Sequence, residues 1–312
     1  MSAERFTNII GDWEKYKKFY TDSISLNSTE NVCGKGSFGK VLKSTVDRES
    51  AIIKLTSIDT LCVMSVEENI AVSIREAQNL ATISHLGISP KFYGFAIDKK
   101  NLVCVLIMEY LEGETLDKLN AKFTRKLREL LGTLPKRHNF TSNALVPPEL
   151  APAYIDIKFI LDLHDKIMRK LSQTIRLLHI EGYVHYDIKP ENIFVAYNLT
   201  QGSLSEGNFR IILIDLGSTR SIEEEFSENI GETPEYSLRY HMENRIPLTN
   251  SNKALRNNFY TKHRKNLRKK NNSGWIISPY ANDYSLKVLT EKFINSLMGG
   301  KRKKRHLTRR KV

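Results

Sequence analysis

Apolar positions recur along this chain with two periods, and the change from one to the other divides it. Phe6, Ile9, Ile10, Trp13, Tyr16 and Tyr20 stand at near-helical spacing, which predicts a short helix within residues 1–28 that covers a neighbouring core. Between 29 and 56 the runs are strand-like, ending in Ala51-Ile52-Ile53-Lys54. Glu67 to Ser84 reads as a helix, and Lys91–Ile97 and Leu102–Met108 read as further strands. Prolines 135, 147, 148 and 152 among basic and polar residues predict a long loop or insert over 118–152. Leu163, Ile167, Leu171, Ile175 and Leu178 then mark a long helix over 161–180. A strand-rich first lobe followed by a mainly helical second one is an α+β architecture.

The chemistry sits where that long helix ends. His185-Tyr186-Asp187-Ile188-Lys189-Pro190-Glu191-Asn192 and, about twenty residues on, Asp215-Leu216-Gly217 bring a base, a cation and two hard oxygen ligands into one region. Such a set suits phosphoryl transfer: Asp187 receives or orients the proton of an attacking hydroxyl, Lys189 neutralises the migrating phosphoryl, and Asn192 and Asp215 hold Mg²⁺ on the nucleotide phosphates. Upstream, Gly34-Lys35-Gly36-Ser37-Phe38-Gly39-Lys40-Val41 has the spacing that lets backbone N–H groups approach phosphate oxygens. The run after these glycines, Lys40 to Val46, reads as a strand, whereas a dinucleotide-binding glycine turn opens a helix.

In this order the glycine loop, the lysine strand, the helix glutamate, the HxDxKxxN loop and the DLG triplet resemble the eukaryotic-type protein kinase family over roughly residues 30–290. The KPEN form of the catalytic loop is similar to that of serine/threonine kinases. The resemblance implies a bilobal fold with a small antiparallel N-lobe sheet and a helical, reduced C-lobe, and an enzyme that moves the γ-phosphate of ATP to protein hydroxyls with Mg²⁺. By this likeness the nucleotide is lined by Cys33, Gly34, Lys35, Gly36, Ser37, Phe38, Gly39, Val41 and Ala51, and Lys54 pairs with Glu76 while facing the α- and β-phosphates. Met108 becomes the gatekeeper, Glu109 and Leu111 offer backbone bonds to adenine, Glu114 meets the ribose, and Phe194 floors the adenine pocket. The implied organisation is an N-terminal extension (1–28), an N-lobe (29–108), a hinge and C-lobe (109–298) with inserts near 118–152 and 241–274, and a basic tail (299–312).

Departures from the family pattern carry their own expectations. Tyr186 stands where many kinases have the arginine that receives an activation-segment phosphate, and the usual acceptor position falls near Asn229. Both halves of that switch are missing, so activity without activation-loop phosphorylation is expected. No APE triplet follows Tyr236, and only about 30 residues lie beyond Asp283-Tyr284-Ser285-Leu286, which resembles the start of the central C-lobe helix.

Composition adds a location for the charge. The net charge of +13 belongs to two segments, since 241–274 hold nine Lys/Arg against one acid, 299–312 hold eight and none, and the remainder is slightly acidic. Both segments are dense enough to attract nucleic acid or an acidic partner, which leaves a pseudokinase-like scaffold as the alternative function; a solvated tail is the plainer reading. Cys33, Cys62 and Cys104 lack metal-ligand spacing and fit a reducing compartment. With no run of about 18 apolar residues and no secretory pattern at 1–8, an intracellular protein, cytoplasmic or nuclear, is expected. Oligomeric state and physiological substrate are not encoded in any motif.

Overall fold

The computed structural model describes residues 5–25, 32–36, 39–58, 65–133, 150–197, 204, 208–222, 236, 269–270, 274–275 and 280–298. The chain forms two units, one from Met1–Glu112, Leu177–Asp187 and Ile212–Glu232, the other from Gly113–Arg176, Ile188–Ile211 and Thr233–Val312.

The first unit is built on a six-stranded sheet in the order β1-β5-β6-β4-β3-β2, with β1 (Phe6–Gly11), β2 (Val32–Gly36), β3 (Gly39–Val46), β4 (Glu49–Ser57), β5 (Phe92–Asp98) and β6 (Val103–Glu109). Neighbouring strands are antiparallel, in registers such as Lys54 opposite both Val41 and Leu106. Strand side chains alternate between faces. Ala51, Ile53, Val105, Ile107 and Ala96 meet Trp13, Phe19 and Tyr20 of helix α1 (Trp13–Ser25) in one buried cluster. Helix α2 (Val66–Ile83) also packs on the sheet; it opens with a capping box in which Ser65 Oγ accepts from Glu68 N–H and Glu68 accepts from Ser65 N–H.

The N-terminal segment is therefore a strand and a helix, where the spacing predicted a helix alone. The register with β5 shifts between Thr7 and Ile10, and Asn8 takes a left-handed φ of 51°. That bulge breaks the period-two alternation and leaves Phe6, Ile9, Ile10 and Trp13 at intervals that imitate a helix. A polar anchor fastens the strand and helix. Asp98, 0% exposed, accepts from the Arg5 guanidinium (2.8 and 3.2 Å), Tyr20 Oη (2.8 Å), Asn101 Nδ2 (2.9 Å) and Lys100 N–H (2.9 Å). Burial alone would raise the Asp98 pKa, but the bonds from Arg5, Tyr20 and Asn101 outweigh it and hold it at about 2.

In the second unit the chain from 118 does not run as a loop: α3 spans Leu116–Thr133. Leu119, Phe123 and Leu127 form its buried stripe at four-residue intervals, and the basic residues between them lie outward. The first of the four prolines, Pro135, comes after the helix, and 134–149 lie outside the described residues. Helix α4 (Ala151–Ile180) begins ten residues earlier than expected, because Pro152 falls in its first turn, where a missing N–H costs nothing. Within this unit β7 (Gly113–Thr115) pairs antiparallel with β9 (Ile193–Ala196), and α5 (Tyr280–Met298) contacts α3. Strand β10 (Arg210–Leu213) carries the chain back to the first unit, where β8 (Tyr183–Val184) pairs with β11 (Arg220–Ser221). Short strands β12 (Lys269–Lys270) and β13 (Gly274–Trp275) pair antiparallel with each other. Among the described residues no helix is long and apolar enough to cross a membrane.

Candidate active site

Three charged residues from three elements converge in the first unit. Lys54 on β4 donates to both carboxylate oxygens of Glu76 on α2 (2.7 and 2.8 Å) and to Asp215 Oδ1 (3.2 Å). The sheet fixes the lysine, the buried face of α2 presents the glutamate, and the aspartate follows β10. Burial would push the Lys54 ammonium toward neutrality, but the two carboxylates outweigh it, and its pKa rises above the ordinary lysine value. Burial pushes the Glu76 carboxyl up against the pull of Lys54. Glu76 is buried, whereas the Asp215 side chain is 49% exposed, so this carboxylate is open to a further cation. Hard carboxylate oxygen suits Mg²⁺, which takes one or two protein carboxylates together with phosphate oxygens rather than a dedicated cage. The described residues contain no cluster of three or more His, Cys, Asp or Glu side chains that could hold a metal.

Two backbone positions at the site lie in the left-handed region, Tyr186 (φ 60°) and Asp215 (φ 61°). Each costs on the order of 1–3 kcal/mol and requires support from its surroundings. Part of that support is His185, fully buried, whose Nε2 lies 3.2 Å from the Ile214 carbonyl and whose Nδ1 accepts from Asp187 N–H at 3.3 Å. These partners require a neutral ring, in agreement with the burial that lowers its pKa. The imidazole thus ties the loop of Asp187 to the residue before Asp215. Asp187 is itself buried, and so is Tyr186, at 6% exposure.

Beyond Asp215 the chain makes a 3₁₀ turn, Leu216–Ser218. Asn79, one helical step from Glu76, donates through Nδ2 to the carbonyls of Leu216 (2.8 Å) and Thr219 (3.0 Å). Buried Arg220 donates through Nη1 to the carbonyls of Gly217 (2.9 Å) and Thr219 (2.8 Å). Sequence reasoning named neither residue; the one available signal was Asn79 standing three positions after Glu76 on the same helix face.

The remaining expected residues fall as follows. Gly34, Lys35 and Gly36 lie on β2 opposite Val41, Lys40 and Gly39, and Cys33 belongs to the same strand; Ser37 and Phe38 lie outside the described residues. A Cβ on Gly39 would stand 1.8 Å from the Leu55 carbonyl oxygen, so only glycine fits there. The chain after the glycines continues as a strand, as read from Lys40–Val46. Ala51 is fully buried in β4, opposite Glu109 of β6, and Met108 lies opposite Ile52. Glu109 N–H bonds the Lys91 carbonyl (2.9 Å), and Leu111 follows just after β6. In the second unit Lys189 precedes the 3₁₀ turn Pro190–Asn192, and buried Asn192 bonds its N–H to the Lys189 carbonyl (3.0 Å). Phe194 on β9 lies opposite Thr115, its ring beside Gly113. Glu114 is already engaged by Lys122 (2.7 and 2.8 Å) and by Tyr197 Oη (2.6 Å). Asn229 and most of the two basic segments lie outside the described residues.

The protein kinase domain model matches residues 28–241. The chain belongs to the protein kinase family. The kinase fold is the mixed α+β arrangement described above, and the family generally uses ATP and Mg²⁺. Among curated proteins, a probable serine/threonine-protein kinase of fowlpox virus (strain NVSL) is 28% identical over 195 residues, 60% of this chain and 52% of that protein. A candidate cyclin-dependent serine/threonine-protein kinase of Dictyostelium discoideum is 25% identical over 168 residues, 53% of this chain and 19% of that protein. The kinase chain thus spans about half the length, or less, of these relatives.

Proposed function

We propose that this chain is an ATP- and Mg²⁺-dependent serine/threonine protein kinase that acts without phosphorylation of its activation segment. The observation that carries this reading is Lys54 bonded at once to Glu76 and Asp215, which fixes one ammonium beside a partly exposed carboxylate, a pair suited to a nucleotide's phosphates and their metal. Asp187 takes the proton of the substrate hydroxyl as its oxygen bonds to the γ-phosphorus and the bond to the ADP oxygen breaks. Lys189 offsets charge on the phosphoryl oxygens in flight. Asn192 and Asp215 are the residues that would hold Mg²⁺, whose charge would offset that of the phosphates. By the family likeness, Gly34, Gly36 and Gly39 would approach the phosphates through backbone N–H groups, and Met108, Glu109 and Leu111 of the same unit would border the base.

The serine/threonine assignment is supported by the KPEN loop and by the names of the two relatives, at low identity. Independence from activation-segment phosphorylation is supported by the burial of Tyr186, which leaves no guanidinium at that position for a phosphate. The scaffold alternative, with nucleic acid on the basic segments, gains no support from the comparisons.

A radiolabelled phosphate-transfer assay on generic protein substrates, comparing the wild type with Asp187→Asn, tests the proposal. Transfer to serine or threonine by the wild type and its loss in a folded Asp187→Asn variant are expected. No transfer by the wild type, or equal transfer by both, would overturn it.

A further inference from the structure

The turn that carries Asp215 presents carbonyls at Leu216, Gly217 and Thr219, and two side chains reach all three. Asn79 takes those of Leu216 and Thr219, and Arg220 takes those of Gly217 and Thr219. The turn's own backbone adds a bond from Thr219 N–H to the Leu216 carbonyl (3.0 Å). Asp215 sits at positive φ, a conformation that a non-glycine residue keeps only where its surroundings impose it. Donors from two directions hold the carbonyls that follow it. Asn79 stands on the α2 face that also bears Glu76, so one helix holds both the partner of Lys54 and the turn after Asp215. Arg220 is buried on β11, whose pairing with β8 joins it to Val184, two residues before Tyr186. Its charge strengthens the carbonyl bonds it makes there.

We propose that Asn79 and Arg220 are positioning residues that clamp the Leu216–Thr219 turn, holding the Asp215 carboxylate beside Lys54 and supplying internally the order that activation-segment phosphorylation would otherwise impose. The proposal rests on the phosphotransfer reading above and explains how that reading dispenses with the switch. The clamp is made of donors: an aspartate at 79 would turn a carboxylate toward two carbonyl oxygens, and a leucine of similar size would offer them nothing.

The test uses the full chain with Asn79→Leu, Asn79→Asp, Asn79→Gln and Arg220→Met. Hydrogen exchange over residues 216–222 is followed without nucleotide, and phosphate transfer is titrated with Mg²⁺ at saturating ATP. Loss of one or two such bonds raises local opening, so exchange at the Thr219 amide should speed up roughly ten- to hundredfold in Asn79→Leu and Asn79→Asp, while the sheet amides of β4 and β6 keep their protection. The Mg²⁺ concentration for half-maximal rate should rise by about the same factor, and Asn79→Gln, which keeps the amide donor, should recover part of both. Should Arg220→Met fail to fold, Asn79→Leu alone decides. A folded Asn79→Leu with unchanged exchange and Mg²⁺ demand overturns the clamp, as does exchange that rises equally throughout the unit. If the wild type transfers no phosphate, the functional reading falls, and the exchange measurement still decides the clamp.

Discussion

Lys54 gives hydrogen bonds to both oxygens of Glu76, and the pair spans β4 and α2 with no intermediary. Each partner depends on the other for its charge: burial would neutralise the ammonium without the carboxylates, and it already pushes the glutamate up. The helix is therefore bound to the sheet through the residue assigned to the phosphates.

Replacing either member should show this dependence in kinetics. Lys54→Met leaves Glu76 buried without its counter-ion, and Glu76→Gln leaves Lys54 with Asp215 alone. Both variants should fall in kcat by about a hundredfold or more, the range for a lost electrostatic or positioning group. Steady-state kinetics in ATP, with Tm to confirm folding, checks this; a folded Lys54→Met of near wild-type kcat contradicts the site.

Phosphatase treatment should leave the enzyme's initial rate unchanged, because Tyr186 is buried and carries no cation for a phosphate. The measurement is the initial rate of bacterially produced protein before and after dephosphorylation. A tenfold drop reversed by preincubation with ATP would mean that another basic residue serves the phosphate.

Acid should release the N-terminal anchor. The Asp98 pKa is held at about 2 in the fold against an ordinary 3.8, so the folded state binds fewer protons between these values. Its contribution to stability is complete above about pH 4 and disappears as pH falls toward about 2. Asp98→Asn should lower Tm at neutral pH, by the equivalent of about 1–3 kcal/mol, and flatten the pH dependence in that window. Thermal melts of both proteins across pH 2–7 check it.

His164 predicts a second, higher window. Its ring is buried and stacks on Phe293 at 3.6 Å, and burial lowers its pKa from 6.5 to about 4. The unfolded chain then binds the proton first, so stability is full above about pH 6.5 and declines as pH falls toward about 4. His164→Leu should reduce this slope, leaving the share of buried His185 and the lower Asp98 window in place. Identical melting profiles for variant and wild type between pH 4 and 7 would contradict it.

The candidate site was legible as far as its residues stand in short, ordered spacings: Lys54 within a strand, Glu76 on the next helix, Asp187 to Asn192 in one loop, and Asp215 after a strand, of which the structure joins Lys54, Glu76 and Asp215. What supports it was not legible. Asn79 and Arg220 act on backbone carbonyls, and a carbonyl has no residue type, so no pattern in the sequence marks its partner. Strand β1 was hidden by its bulge at Asn8, and α3 by prolines that lie beyond its end. Each time a local feature altered the apparent period while burial against distant residues decided the element.

The cover that Trp13, Phe19 and Tyr20 place over Ile53 and Ile107 bears on how the protein is produced. The family match opens at residue 28, the natural cut for an expression fragment. A fragment begun there would leave a wide apolar sheet face to water, together with the unpaired edge of β5, a template for joining one copy to the next. Such a fragment would be prone to aggregate, and an assay of it would say nothing about the whole chain.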